Sequence, residues 1–304
     1  MLTAGLGTRL QPLSFVRAKG AVPIAGQPLI TRILRRLADY EVRQVVLNLH
    51  HLPATITARV GDGSDFGMCV RYSWEFPLLG SAGGPRQALP LLPGHDFFII
   101  NGDTLTDVDL HAVARQHRET GALVTMAVHD NRSLVERYGG IVTDSRGIVH
   151  GFVPRGPAAV GYHFVGVQMA HPSVFAALAM GEAADTTRGL YRTLIAKRPG
   201  TIRAFLASGQ FWDVGTPSDY LDATLAIGDA EGMSSPQTGR GSRIHPTAHL
   251  ARTVLWDDVE IGERASLEAC VVADGVTIPS GARFQNSAII QQAGTLVVAD
   301  MSHG

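Results

Sequence analysis

After residue 243 the sequence repeats itself at an interval that leaves few folds open. Ile244, Ile261 and Ile278 are spaced by 17 residues, as are Leu250, Leu267 and Phe284. Val254, Val271 and Ala288 keep the same step, and so do Leu255, Val272 and Ile289. Within each unit the first two sets lie six residues apart, with small or turn-forming residues between them, as in Ile261-Gly262-Glu263-Arg264-Ala265-Ser266-Leu267. Aliphatic residues at fixed offsets in a fixed period predict a β-solenoid, in which equivalent side chains of successive coils lie one above the other. So short a stack has terminal coils that need covering. We therefore expect it to pack on the preceding domain, on a second copy of the chain, or on both.

The residues before the repeat follow another rhythm. Val45 to Leu49, Phe97 to Ile100 and Leu123 to Val128 read as strands. Leu29, Ile30, Ile33, Leu34 and Leu37 recur at helical spacing, as do Leu110, Val113, Ala114 and His117. Strands alternating with amphipathic helices predict an α/β fold with a mostly parallel, helix-covered sheet. Thr216-Pro217 supplies an N-cap and a first-turn proline for a helix running through Tyr220, Leu221 and Leu225. The stretch that follows is poor in large apolar residues and rich in Gly, Ser and Pro. The expected division is thus 1–228, a linker at 229–241, and a solenoid tail at 242–304.

Composition excludes several classes of function. Lys plus Arg number 26 against 27 acids, a net charge of -1, so no basic surplus points to nucleic acid. No apolar run reaches the length of a membrane span, and no secretory signal opens the sequence. Cys69 and Cys270 stand far apart, which argues against a disulfide framework or a cysteine zinc site and makes the cytoplasm the default location. The 34 glycines, by contrast, demand an explanation in backbone geometry.

One glycine cluster, Ala4-Gly5-Leu6-Gly7-Thr8-Arg9, can turn backbone N–H groups toward phosphate oxygens, with the Arg9 guanidinium as a nearby cation. It is not a Walker loop, since no Gly-Lys-Ser/Thr follows. It also lacks the third glycine of the dinucleotide fingerprint, where Leu10 stands. The longer run Gly5 to Ser14, then Lys19, then Val22-Pro23-Ile24, resembles the signature of the sugar-1-phosphate nucleotidyltransferases. Ala18 replaces the proline that the family carries before its lysine. The resemblance implies a Rossmann-like nucleotidyltransferase domain followed by a short left-handed β-helix-like (hexapeptide) coil. It places Arg9 on the outgoing pyrophosphate and Lys19 on the nucleotide phosphates.

Asp103 follows the Phe97 to Ile100 strand, at the carboxyl end where parallel sheets bind ligands. A carboxylate there can hold a hard cation against phosphates. Phe211-Trp212-Asp213-Val214-Gly215-Thr216-Pro217 again resembles the family, which gives its aspartate to the same magnesium ion as Asp103. Leu79-Gly80-Ser81-Ala82-Gly83-Gly84 is similar to the family's nucleobase-reading loop. The implied nucleotide-binding set is therefore Ala4, Gly5, Gly7, Thr8, Gly80, Ser81, Ala82 and Gly83. The sugar phosphate falls to Gly139, Gly166 and Arg155. Arg155 stands in Pro154-Arg155-Gly156 where relatives carry a lysine, and Phe164 stands where many have asparagine. Family members also hang the glycine loop from a buried aliphatic strand, of which Met1-Leu2 supply almost nothing, so the expectation is a trimmed or misassigned start. His50 and His51 are expected to pack or cap at a strand end, and Tyr72 and Trp74 to lie in the core.

The resemblance implies transfer of a nucleotidyl group to a sugar 1-phosphate, with Mg2+ as cofactor and a possible homo-oligomer through the coil. The solenoid tail makes the mannose-1-phosphate guanylyltransferases the most similar branch. Gln27-Pro28-Leu29-Ile30 and Gly61-Asp62-Gly63-Ser64 keep open an N-acetylmuramate- or hexose-1-phosphate uridylyl- or thymidylyltransferase. A non-catalytic paralogue that binds nucleotide-sugar is a reading from a different class.

Overall fold

The structure, a computed structural model, describes residues 1–302. Its central sheet has the strands Ile202–Leu206, Val124–His129, His163–Ala170 and Phe97–Ile100 in that spatial order. Ile202–Leu206 runs parallel to Val124–His129, and His163–Ala170 is antiparallel to both of its neighbours. Phe97–Ile100 and Val124–His129 consequently point the same way, and their carboxyl ends lie along one side of the sheet. Val124 to Val128 are buried without alternation, as a strand covered on both faces should be. Ile99, Met126, Val128, Ile141, Phe175 and Tyr191 belong to the core built around them.

Residues 1 and 2 connect this sheet to a second parallel pair, Gln44–Leu49 with Cys69–Trp74. Leu2 N–H donates to Ile100 O at 2.8 Å, and Gly102 N–H donates to Leu2 O at 2.9 Å. On the other side the Met1 ammonium donates to Val46 O at 2.7 Å, and Asn48 N–H donates to Met1 O at 3.3 Å. A cavity of about 330 Å³ lies beside Met1, lined by Val45, Val46, Pro85, Phe97 and Ile99 among others. Burial pushes the Met1 ammonium down to about 5.

The helices Leu29–Asp39, Leu110–Thr120 and Pro217–Ala230 occupy the segments whose spacing predicted them. Thr216 Oγ1 accepts the Asp219 N–H at 3.2 Å, and Pro217 takes the first helical position. Trp74 departs from expectation. It ends its strand with its side chain outward, 60% exposed, and the neighbouring Phe76 is 96% exposed. His50 does cap a strand end, its Nδ1 lying 2.9 Å from Glu75 O.

The 17-residue period is reproduced residue by residue in parallel ladders. Ile244, Ile261 and Ile278 are register partners, as are Leu250, Leu267 and Phe284. Val254-Leu255, Val271-Val272 and Ala288-Ile289 form the third ladder. Gln237–Thr238 adds a strand to that ladder ahead of Val254-Leu255. At the other end Ser287–Gln292 turns back in an antiparallel hairpin with Thr295–Asp300, which pairs an edge that would otherwise be open. Leu255, Ile261, Leu267, Val272, Ile278 and Ile289 fill the coil interior. Cys270 lies among them and Cys69 is exposed, and both are free thiols.

The chain divides into two compact units. One comprises Met1–Gly5, Arg35–His51 and Gly61–Phe211, and the other Leu6–Leu34, Leu52–Val60 and the residues from Trp212 onward. Among the described residues no helix is long and apolar enough to cross a membrane.

Candidate active site

The second unit brings together three side chains that are remote in sequence. Asp213 Oδ2 lies 3.8 Å from Arg9 Nη1, and Asp213 Oδ1 lies 4.0 Å from Lys19 Nζ. The Lys19 and Asp213 side chains are each only 12% exposed, whereas Arg9 is 54% exposed. At these separations the contacts are ion pairs rather than direct hydrogen bonds. Local geometry explains the glycines around them. Gly7 has φ 63°, and its carbonyl accepts from Ser14 Oγ at 2.8 Å and from Leu10 N–H at 2.9 Å. A side chain at Gly215 would lie 2.5 Å from Asp213 Oδ2 and 3.0 Å from Arg9 Nη1, so only glycine leaves this carboxylate and guanidinium in place. Thr8 is exposed beside them.

The first unit carries the other predicted positions. Asp103 follows the carboxyl end of Phe97–Ile100, held there by the Gly102 N–H to Leu2 O bond and by Asn101 N–H donating to Gly166 O at 2.8 Å. Gly166 adopts φ 80°, and a Cβ there would sit 2.6 Å from Thr104 Oγ1. Gly166 thus lies against the segment that carries Asp103. Gly139 and Arg155 also meet, because a Cβ on Gly139 would be 2.7 Å from Val153 O and 3.3 Å from Arg155 N. Arg155 itself is exposed.

The Gly80 to Gly84 loop opens the helix Gly80–Ala88. Ala82 and Gly83 are buried, and their N–H groups donate to Ala184 O at 2.9 Å and 3.3 Å. Their small size serves this packing, since a Cβ on Gly83 would lie 2.5 Å from Glu182 O. Ser81 Oγ accepts the Thr186 N–H at 2.9 Å. Gly80, at φ 75°, marks the turn into the helix, and Gly5 at the start of the Gly5-Leu6-Gly7 cluster is exposed.

Two residues that the sequence did not single out tie these loops together. Asn48 Oδ1 accepts the backbone N–H groups of Thr3 and of Ala4, the latter at 3.1 Å. Asn48 Nδ2 donates to Glu75 Oε1 at 2.6 Å, and Glu75 Oε2 accepts the Leu79 N–H at 2.8 Å. Asn48 and Glu75 are 6% and 3% exposed. The available signal was an asparagine inside the otherwise aliphatic run Val45-Val46-Leu47-Asn48-Leu49.

At the carboxyl end of Val124–His129, His163 is paired with His129 across the strands and is 6% exposed. Neither of its ring nitrogens has a hydrogen-bond partner among the described residues. Burial, with the charge of His129 as a lesser cause, pushes His163 down to about 4. The folded state therefore binds fewer protons than the unfolded chain between about pH 6.5 and 4. The stability this provides is complete above about 6.5 and is lost as pH falls toward 4. His163→Phe, which keeps the ring contacts to Tyr138 and Phe211, is expected to remove about 2 to 3 kcal/mol of the stability difference between pH 7.5 and 4.5. Urea melts of both proteins at the two pH values check this, and identical pH dependences would refute it.

Comparison with known proteins matches the nucleotidyl transferase profile to residues 1–230 and the GlmU-like C-terminal hexapeptide profile to residues 234–288. The mannose-1-phosphate guanylyltransferase of Mycobacterium tuberculosis is 28% identical over 297 residues, covering 92% of this chain and 81% of that protein. The N-acetylmuramate alpha-1-phosphate uridylyltransferase of Neisseria meningitidis is 43% identical over 114 residues, 37% of this chain and 49% of that one. Among solved structures, the UDP-glucose pyrophosphorylase from Acinetobacter baumanii superposes with a TM-score of 0.65 at 21% identity, over 75% of this chain and 92% of its own, which shows a shared fold.

Proposed function

Since the chain belongs to the nucleotidyl transferase family, we propose that it transfers a nucleotidyl group from a nucleoside triphosphate to a sugar 1-phosphate, with GTP and mannose 1-phosphate as the preferred pair. What supports the substrate reading is that the Mycobacterium tuberculosis guanylyltransferase aligns over 92% of this chain, tail included. A UTP–glucose-1-phosphate uridylyltransferase of Synechocystis aligns over 96% at the same 28% identity, so hexose-1-phosphate uridylyl transfer is the reading it must be tested against. An oxygen of the sugar phosphate attacks the α-phosphorus. The bond from that phosphorus to the bridging oxygen breaks, and pyrophosphate leaves with the electron pair.

No side chain need act as nucleophile, so the protein's part is positioning and charge neutralisation. Arg9, exposed and loosely paired, is free to follow the departing pyrophosphate. Lys19, mostly buried, offers a fixed cation to the nucleotide phosphates. Gly5, Gly7 and Thr8 supply backbone around those phosphates, and Gly80 with Ser81 opens the loop for the base. Gly139, Gly166 and Arg155 serve the sugar phosphate. Asp103 and Asp213 are hard oxygen donors of the kind magnesium takes, and the ion would neutralise phosphate charge.

A second reading, uridylyl transfer to N-acetylmuramate 1-phosphate, draws on the higher identity of the shorter Neisseria match. A panel of triphosphates crossed with sugar 1-phosphates, read by pyrophosphate release, separates the two. Preference for GTP with mannose 1-phosphate is expected. A strong preference for UTP would overturn the substrate assignment. Binding of nucleotide-sugar with no release on any pair would overturn catalysis itself.

A further inference from the structure

Arg17 lies two residues before Lys19 and is only 7% exposed, although nothing in the proposed chemistry uses it. Its guanidinium is gripped by two carboxylates of the solenoid. Nε donates to Asp274 Oδ2 at 2.7 Å, while Nη2 donates to Asp274 Oδ1 at 2.6 Å and to Asp257 Oδ2 at 2.8 Å. Asp257 and Asp274 are 17 residues apart, so they occupy the same position in successive coils. Asp257 N–H donates to Asp274 Oδ1 at 3.0 Å, which orients one carboxylate from the neighbouring coil. The guanidinium also lies over the Trp256 ring, 5.3 Å from its centroid. Trp256 is fully buried, and its Nε1 donates to Tyr220 Oη at 2.8 Å. Tyr220 Oη in turn donates to Pro23 O at 2.6 Å.

The segment that carries Lys19 is thus fastened on both sides, at Arg17 by coil carboxylates and at Pro23 by the tyrosine that Trp256 orients. Arg9 and Asp213 belong to the same compact unit as these anchors. We propose that Arg17 is a positioning residue: two stacked coils of the solenoid hold it, and through it they hold Lys19 against Asp213. The tail is then part of the catalytic apparatus. Bidentate arginine pairs fix direction as well as distance, a property a lysine at this position would not reproduce. The inference rests on the proposed nucleotidyl transfer for its kinetic consequence, and on geometry alone for its structural one.

Two readouts on the full chain test it. In Arg17→Met, amide hydrogen exchange in residues 10–22 is expected to accelerate at least tenfold, while the coil ladders from 260 to 290 stay protected. Pyrophosphate release should lose at least tenfold in kcat, with the KM for the sugar 1-phosphate within twofold. Asp274→Asn keeps the shape and removes one charge, and it should shift both readouts the same way by less. Arg17→Lys should restore only part of kcat. Unchanged exchange and kcat in Arg17→Met would overturn the proposal. So would loss of protection spread evenly through the coils, which would mark Arg17 as a plain structural residue. A wild-type chain that releases no pyrophosphate counts against the proposed function, and the exchange result still decides the positioning role.

Discussion

Asp103→Asn is expected to slow pyrophosphate release by about two to three orders of magnitude while leaving the melting temperature within a few degrees of wild type. The replacement is nearly isosteric. The backbone at this point is fixed by the bonds from Gly102 to Leu2 and from Asn101 to Gly166, neither of which involves the carboxylate. What disappears is a full negative charge just past the carboxyl end of Phe97–Ile100, on the side of the sheet where open α/β sheets present ligands. In the role proposed for Asp103 as a magnesium ligand, reduced charge would weaken the hold on the ion, so higher magnesium should recover part of the rate in Asp103→Asn. Asp213→Asn should behave differently. Its carboxylate also faces Arg9 and Lys19, and its removal takes away the partner that these two cations share. We expect kcat to fall comparably there, with less recovery by magnesium. Steady-state rates over a magnesium series, alongside circular dichroism melts, check both variants. An Asp103→Asn enzyme of wild-type rate would remove Asp103 from the catalytic set.

What the sequence reveals about this fold depends on how far apart the interacting residues lie, and on whether a period connects them. The solenoid is legible because one spacing of 17 is imposed on every coil, and the ladders pair Ile244, Ile261 and Ile278 as the spacing predicts. Arg9, Lys19 and Asp213 are legible as motif positions, and the structure sets all three together. The grip on Arg17 is not legible, because its partners lie 240 and 257 residues away and nothing periodic links a loop arginine to coil aspartates. Trp74 misleads for another reason. Burial along its strand does not keep a period of two, since Val70 and Ser73 are buried while Cys69 and Arg71 are exposed, and Trp74 is left exposed at the strand's end although its hydrophobicity alone suggests burial. Ala82 and Gly83 resemble a recognition loop by composition. Their smallness is also explained by the Ala184 and Glu182 carbonyls, which no local pattern announces.

Glu75→Gln is the second variant for which a large effect is expected, and donor-acceptor logic decides its sign. Asn48 Oδ1 is committed to two backbone donors, Thr3 and Ala4, so Nδ2 must face Glu75. Glu75 must then accept twice, from Asn48 Nδ2 and from Leu79 N–H. Glutamine has one acceptor oxygen and one donor nitrogen. Whichever way it turns, a donor faces a donor in a site that Gly84 leaves no room to relax, since a Cβ there would already be 2.5 Å from Glu75 Oε1. The cost should be about 2 to 3 kcal/mol of stability. The KM for the triphosphate should rise at least tenfold, because this bridge joins the start of the glycine cluster at Ala4 to the start of the Gly80 loop, the two segments proposed to hold the phosphates and the base. Asn48→Asp alone sets two carboxylates face to face and should cost at least as much. Combining the two exchanges reverses donor and acceptor along the bridge. The carboxylate introduced by Asn48→Asp would accept from Thr3, Ala4 and the new glutamine amide, whose oxygen would accept from Leu79. The double variant should therefore be more stable than either single one and recover most of the triphosphate affinity. A double-mutant cycle by urea denaturation, paired with KM measurements, reads this coupling directly. Additive losses in the cycle would mean that Asn48 and Glu75 act separately.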